Sequence, residues 1–148
     1  LCMSSIQDLT DGSFEEILDD SRSDGSEESI VLCSGRMFYN LIEEKEKGAF
    51  KKAALVRIEQ FFPLHTDKLR DILEKYKKLK QVIWIQDEPK NMGAWDYIRI
   101  RLEKLIAGKF PFRCVGRERS ASPAVGSFSQ HTKEYQQLTS QLSSLVGE

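Results

Sequence analysis

A chain of 148 residues, 40% hydrophobic and 30% charged, has the length and balance of one globular domain with a tail, and no apolar run approaches the roughly 20 residues that a membrane-spanning helix needs. The formal net charge of −1 hides a division, because residues 1–28 hold nine carboxylates against one arginine, a net of −8, and the remainder carries +7. A basic body suits phosphate-bearing ligands or an acidic partner, but most of its cations fall between Lys45 and Lys80 on expected helices, where solvated faces account for them; neither nucleic acid nor a membrane is expected as a partner.

The chain starts at Leu1 without the basic start and apolar stretch of a signal peptide, and reads as a fragment or trimmed product. Its first part is rich in Ser, Asp, Gly and Glu, with SRSDGSEES before Ile30 as a mobile linker, although Phe14, Ile17 and Leu18 could form a short helical contact. The expected organisation is an acidic connecting segment and linker over residues 1–29 and an α/β domain over residues 30–148. Ile30 to Ser34 reads as a buried strand, and Arg36 to about Lys47 as a helix with Phe38, Leu41 and Ile42 on one face. Ala53 to Gln60 is the second strand. Leu69, Ile72, Leu73 and Tyr76 recur at helical spacing after Pro63 and Thr66, and the run Val82 to Ile85 suits a strand buried on both faces.

That third strand breaks into Gln86, Asp87, Glu88 and Pro89, and Gly93 leads into a helix carrying Trp95, Ile98, Leu102 and Leu105 on one stripe. Polar groups thus collect at a strand's carboxyl end, where open α/β sheets place ligand and partner contacts. Adjacent carboxylates in extended backbone point oppositely, so Glu88 is expected to accept from N–H groups at the helix start or from a partner subunit, and Asn91 to cap that helix. Pro111 to Val115 adds a strand, and Tyr135, Leu138, Leu142 and Leu145 a closing helix. Between them, the Ser-rich loop around Gly126, with Arg117 and Arg119 nearby, could cradle a phosphate or simply turn tightly. Three alternations of strand and helix predict a mainly parallel (mixed) sheet in a three-layer α/β/α sandwich. A dinucleotide fold of the G-x-G-x-x-G type is excluded, since Ser34-Gly35-Arg36-Met37 supplies one glycine.

Cys33 and Cys114 sit in apolar runs as small hydrophobes, and an odd total of three with no metal-type spacing favours free thiols in a reducing compartment. His65 and His131 lie far apart with no ligand spacing, so a metal site is not expected.

Four segments carry a resemblance. Gln86 to Trp95 is similar to the Q-E-E-P-x-N-Q-G-A-W run of the 2-oxoglutarate dehydrogenase family, in its thiamine-diphosphate-dependent decarboxylating component. Val56 to Leu64 resembles that family's V-R-I-E-Q-L-Y-P-F strand, Val115 to Ser127 its V-G-R-x-x-x-A-S-P-A-T-G-S segment, and Leu32 to Glu44 its L-C-S-G-K-V-Y-Y-D-L entry. His131 and Glu134 match its closing H-x-x-E-Q helix, with Tyr135 replacing the glutamine, and Met92 stands where the signature has Gln.

The resemblance covers the C-terminal domain of that component and implies a transketolase C-terminal-like fold, a structural and dimerisation role, and no catalytic, cofactor-binding or metal-binding residue in this chain. Thiamine diphosphate and magnesium belong to the complete enzyme, whose reaction is the oxidative decarboxylation of 2-oxoglutarate in the tricarboxylic acid cycle. Implied partners are the preceding thiamine-binding domains, a second subunit, and dihydrolipoyl succinyltransferase in the complete complex. The compartment would be a bacterial cytoplasm or a mitochondrial matrix. Gln86, Glu88, Asn91, Gly93 and Trp95 are the expected turn and interface residues. The alternative is a regulatory module that binds a nucleotide or acyl-CoA through Gln60 and Arg57; against it, Thr66, Asp67 and Lys68 stand where some members show consecutive arginines.

Overall fold

The computed structural model describes residues 5–147. In chain order these form α1 (Ile6–Thr10), β1 (Ile17–Leu18), β2 (Ser29–Cys33), α2 (Arg36–Glu46), β3 (Ala53–Ile58), α3 (Thr66–Lys75), β4 (Gln81–Pro89), α4 (Trp95–Ile106), β5 (Phe112–Arg117) and α5 (Phe128–Val146). One five-stranded sheet runs in the order β1-β3-β2-β4-β5, parallel throughout except for β1, which pairs antiparallel with β3. The expected three-layer α/β/α arrangement is the one observed.

Strand alternation divides the core between the two faces. Ile30, Leu32, Val56, Val82 and Trp84 face α3 and α4, meeting Leu69, Ile72, Ile98 and Leu102, while Val31, Cys33, Leu55, Ile83 and Ile85 face α2 and α5, meeting Leu41, Leu138 and Leu142. Cys33 belongs to the second face and Cys114 packs against the first, so the sheet separates two free thiols. Cys2 lies outside the described residues. The chain passes from β2 to β3 on one side and then crosses to β4 on the other, so the carboxyl ends of β2 and β4 flank a point where strand order reverses, a location that favours clefts in open sheets.

The acidic segment differs from its expectation. Ile17 and Leu18 form a strand, not a helical contact: Ile17 pairs with Ile58 and Leu18 with Arg57, and Ile17 is buried. Beyond β1, the buried Asp20 takes over the pairing role by accepting from Leu55 N–H at 3.1 Å, and it holds Lys45 Nζ at 2.7 Å. Glu15 and Glu16 pair with Lys68, Asp19 with Lys75, and Glu28 with Lys80. SRSDGSEES is likewise tied in place, with Ser23 Oγ donating to the buried Glu27 at 2.5 Å. Much of the basic body therefore finds its acidic partner in the same chain.

Candidate functional site at the strand ends

β4 does not stop at Ile85. It continues to Pro89, with a shift of register against β5 between Ile85 and Pro89 that frees Gln86 from simple alternation. Gln86 is 3% exposed and its amide is fully used. Oε1 accepts from Trp84 Nε1–H at 2.9 Å and from Trp95 N–H at 3.0 Å, while Nε2 donates to the carbonyls of Met92 at 2.7 Å, Pro89 at 3.1 Å and Glu88 at 3.3 Å. One side chain thus ties the strand, the turn and the first N–H of α4, a donor that helix geometry leaves without an intrahelical partner. Gly93 completes the turn at φ +66°, and a Cβ there would stand 3.0 Å from both Gln86 Nε2 and Glu88 Oε2.

Two expected roles change hands. Asn91 does not cap α4, whose N-cap is Ala94 with no side-chain bond; instead Asn91 Nδ2 donates to Ser120 O at 2.9 Å and its Oδ1 accepts Ser120 N–H at 3.0 Å. It pins the loop that follows β5. Glu88 was expected to receive the N–H groups at the helix start or a donor from a partner subunit; it is exposed, and of these Gln86 takes the helix-start N–H. Trp95 is half-buried on the edge of the core, its ring 5.3 Å from that of Phe112.

Arg117, at the end of β5, is the electrostatic centre. Its side chain is 8% exposed; Nη2 lies 2.7 Å from Asp87 Oδ1 and 2.8 Å from His131 Nδ1, and Nε lies 3.3 Å from Glu134 Oε2. The last is an ion pair without hydrogen-bond alignment, which leaves Nε without a bonded partner. A guanidinium only donates, so His131 Nδ1 accepts and the ring proton sits on Nε2. His131 and Glu134 stand three residues apart on α5, one turn from each other, which is why both reach the same cation. Ser127 caps this helix through a bond from Gln130 N–H at 3.5 Å.

Two hollows meet at Arg117. One of about 770 Å³ runs from Pro89 along the loop to Gln130, Lys133 and Gln141, and one of about 550 Å³ is bounded by Asp87, Glu88, Ser127, Phe128 and His131. Their groups suit holding and recognition more than bond making. The carboxylate of Asp87 and Nδ1 of His131 are both committed to Arg117. Burial pushes the Cys114 thiol up to about 11, with the nearby Lys90 opposing, and pushes the Cys33 thiol higher still, so neither supplies a thiolate nucleophile.

Arg57 and Gln60 do not converge. Arg57 lies over the Phe38 and Tyr39 rings at 4.8 and 5.2 Å, donates to Tyr39 Oη at 2.7 Å and stands 3.0 Å from Glu59 Oε1. Gln60 Nε2 is spent on Pro63 O at 2.9 Å. Arg117, Asp87, His131 and Glu134 are each visible in the sequence, yet their union is not, since it joins β4, β5 and α5 across a sheet register that only the fold provides.

The chain is similar to known proteins over most of its length. The family model for the 2-oxoglutarate dehydrogenase C-terminal region matches residues 3–142. The 2-oxoglutarate dehydrogenase E1 component of Coxiella burnetii is 37% identical over 145 residues, covering 95% of this chain and 16% of that protein. The same component of Haemophilus influenzae is 35% identical over 140 residues, covering 93% and 15%, and that of Rickettsia felis 43% identical over 112 residues, covering 74% and 11%. The chain thus spans less than a fifth of the length of these curated relatives.

Proposed function

Because the chain belongs to the 2-oxoglutarate dehydrogenase C-terminal family, we propose that it is the bracing, non-catalytic end of a decarboxylating dehydrogenase component. The observation that carries this reading is the commitment of the strand-end polar groups to one another: Gln86 makes five hydrogen bonds to partners between Trp84 and Trp95, and Arg117 ties β4, β5 and α5 together. Such a face is rigid, and rigidity is what a scaffold for neighbouring domains needs.

The complete polypeptide would be an oxidoreductase that decarboxylates 2-oxoglutarate in the tricarboxylic acid cycle, as a homodimer delivering its product to dihydrolipoyl succinyltransferase. Thiamine diphosphate with magnesium would supply the carbanion chemistry of that reaction. At the strand-end site the carboxylates Asp87 and Glu134 are spent on Arg117 and not directed at a metal-bound diphosphate. The chain's part is to position the domains that hold the cofactor.

The test is an assay of 2-oxoglutarate decarboxylation with thiamine diphosphate and magnesium added. The 148-residue chain is expected to be silent and the complete polypeptide active. Turnover by the chain alone would overturn the reading.

A further inference from the structure

Helix α5 has two faces. Leu138, Leu142 and Val146 are buried against the sheet, whereas Lys133, Gln137, Ser140, Gln141 and Ser144 recur at i, i+4, i+7, i+8 and i+11 on an exposed stripe with no apolar member. The hollow that follows the loop from Pro89 ends on Lys133, Gln137 and Gln141, and the same three residues border a further hollow of about 540 Å³ that continues to Ser140 and Ser144. Together they form one trough, walled at its loop end by Pro123, Ala124 and Val125. A rise of ~1.5 Å per residue between Gln130 and Ser144 makes it roughly 21 Å long.

The polar groups of the trough are uncommitted, in contrast to those at the strand ends. Among the described residues neither Arg119 nor Lys133 has a carboxylate within ion-pairing distance, and the acids that share the hollow are spent: Glu118 on Lys90 at 3.0 Å, and Glu134 on Arg117 at 3.3 Å and on Gln130 Nε2 at 2.7 Å. The side-chain amides of Gln137 and Gln141 bond to no described residue. An amide both donates and accepts, which is what the backbone of a bound peptide requires. The length of the trough exceeds that of a single phosphate or carboxylate and matches about six extended residues at ~3.3 Å each. No aromatic ring lines either hollow, so single-stranded nucleic acid would find no platform for stacking.

We infer that this trough receives an extended acidic segment of a second polypeptide, its carboxylates against Arg119 and Lys133 and its backbone amides against Gln137 and Gln141. Charge complementarity and length select this occupant: the trough offers cations without free carboxylates, and a run of side-chain amides behind them. The bracing role does not depend on this contact.

The test is an NMR titration of the isotope-labelled 148-residue chain with a capped peptide of about seven residues that alternates glutamate and glycine. Shifts confined to the loop after β5 and to the exposed stripe of α5, with an affinity that falls as salt is added, are expected. Arg119→Glu and Lys133→Glu should each weaken binding about fivefold, and Gln137→Ala with Gln141→Ala should weaken it by a similar factor. All four side chains are exposed, and circular dichroism separates any folding defect from a docking defect. Equal binding of the same peptide with glutamine in place of glutamate overturns the acidic requirement, and equal shifts from free glutamate at matched carboxylate concentration overturn the extended segment. Tighter binding of oligothymidylate of the same charge, or no shift along α5, overturns the contact outright; none of these outcomes bears on the decarboxylation assay that tests the bracing role.

Discussion

At the scale of single residues, Gln86 carries more of the strand-end geometry than either carboxylate beside it. An amide offers two donors and two acceptor lone pairs, and here they satisfy the Trp84 indole and the turn carbonyls in a place water does not reach. Replacing it with leucine keeps the volume but strands those groups. Gln86→Leu should therefore lower stability by roughly 2–4 kcal/mol, since each buried unsatisfied donor costs about 1–3 kcal/mol, read as a fall in denaturant midpoint at unchanged m-value. The sequence marks Gln86 as part of a polar turn but says nothing of its burial, because polar side chains at strand ends are exposed more often than not. Asn91 shows the same difficulty: three residues before a helix it has the chemistry of a cap, and only the nearness of Ser120 gives it another use.

Among the elements, β2 to β5 and α2 to α5 were legible, the strands as short apolar runs and the helices by their apolar spacing, although β4 runs four residues past the expected Ile85 and α5 begins seven residues before Tyr135. β1 was not, since two residues carry no period at all, and Ile17 is drawn into the sheet by an edge of β3 that sequence alone does not display. Asp20 secures that edge. Burial works against its charge, but bonds from Lys45 Nζ and from the N–H groups of Leu55 and Arg22 outweigh it and hold the carboxyl below its ordinary value. Its folded pKa lies below the unfolded one, so its contribution is complete above the unfolded carboxyl value of about 3.9 and is lost as pH falls through the folded value. Asp20→Asn should cost about 3 kcal/mol at neutral pH, by leaving Lys45 unpaired, and the loss should shrink below about pH 4. Urea titrations at neutral and acidic pH give both numbers.

For the whole molecule, the charge division between the first 28 residues and the rest acts within one fold, through the ion pairs of Lys45, Lys68, Lys75 and Lys80. Removing residues 1–28 should open the outer edge of β3 and strip Ile17 from the core, lowering stability by at least about 3 kcal/mol and promoting aggregation, which thermal unfolding with light scattering would record. The sheet also keeps two thiols in separate worlds. Cys33 is fully enclosed beneath α2, whereas Cys114 lies half-open near the β5 edge. One polypeptide therefore carries a fast reporter and a slow clock: alkylation at Cys114 follows the local breathing of the margin, and alkylation at Cys33 waits for the interior to come apart, so its rate counts the molecule's complete openings.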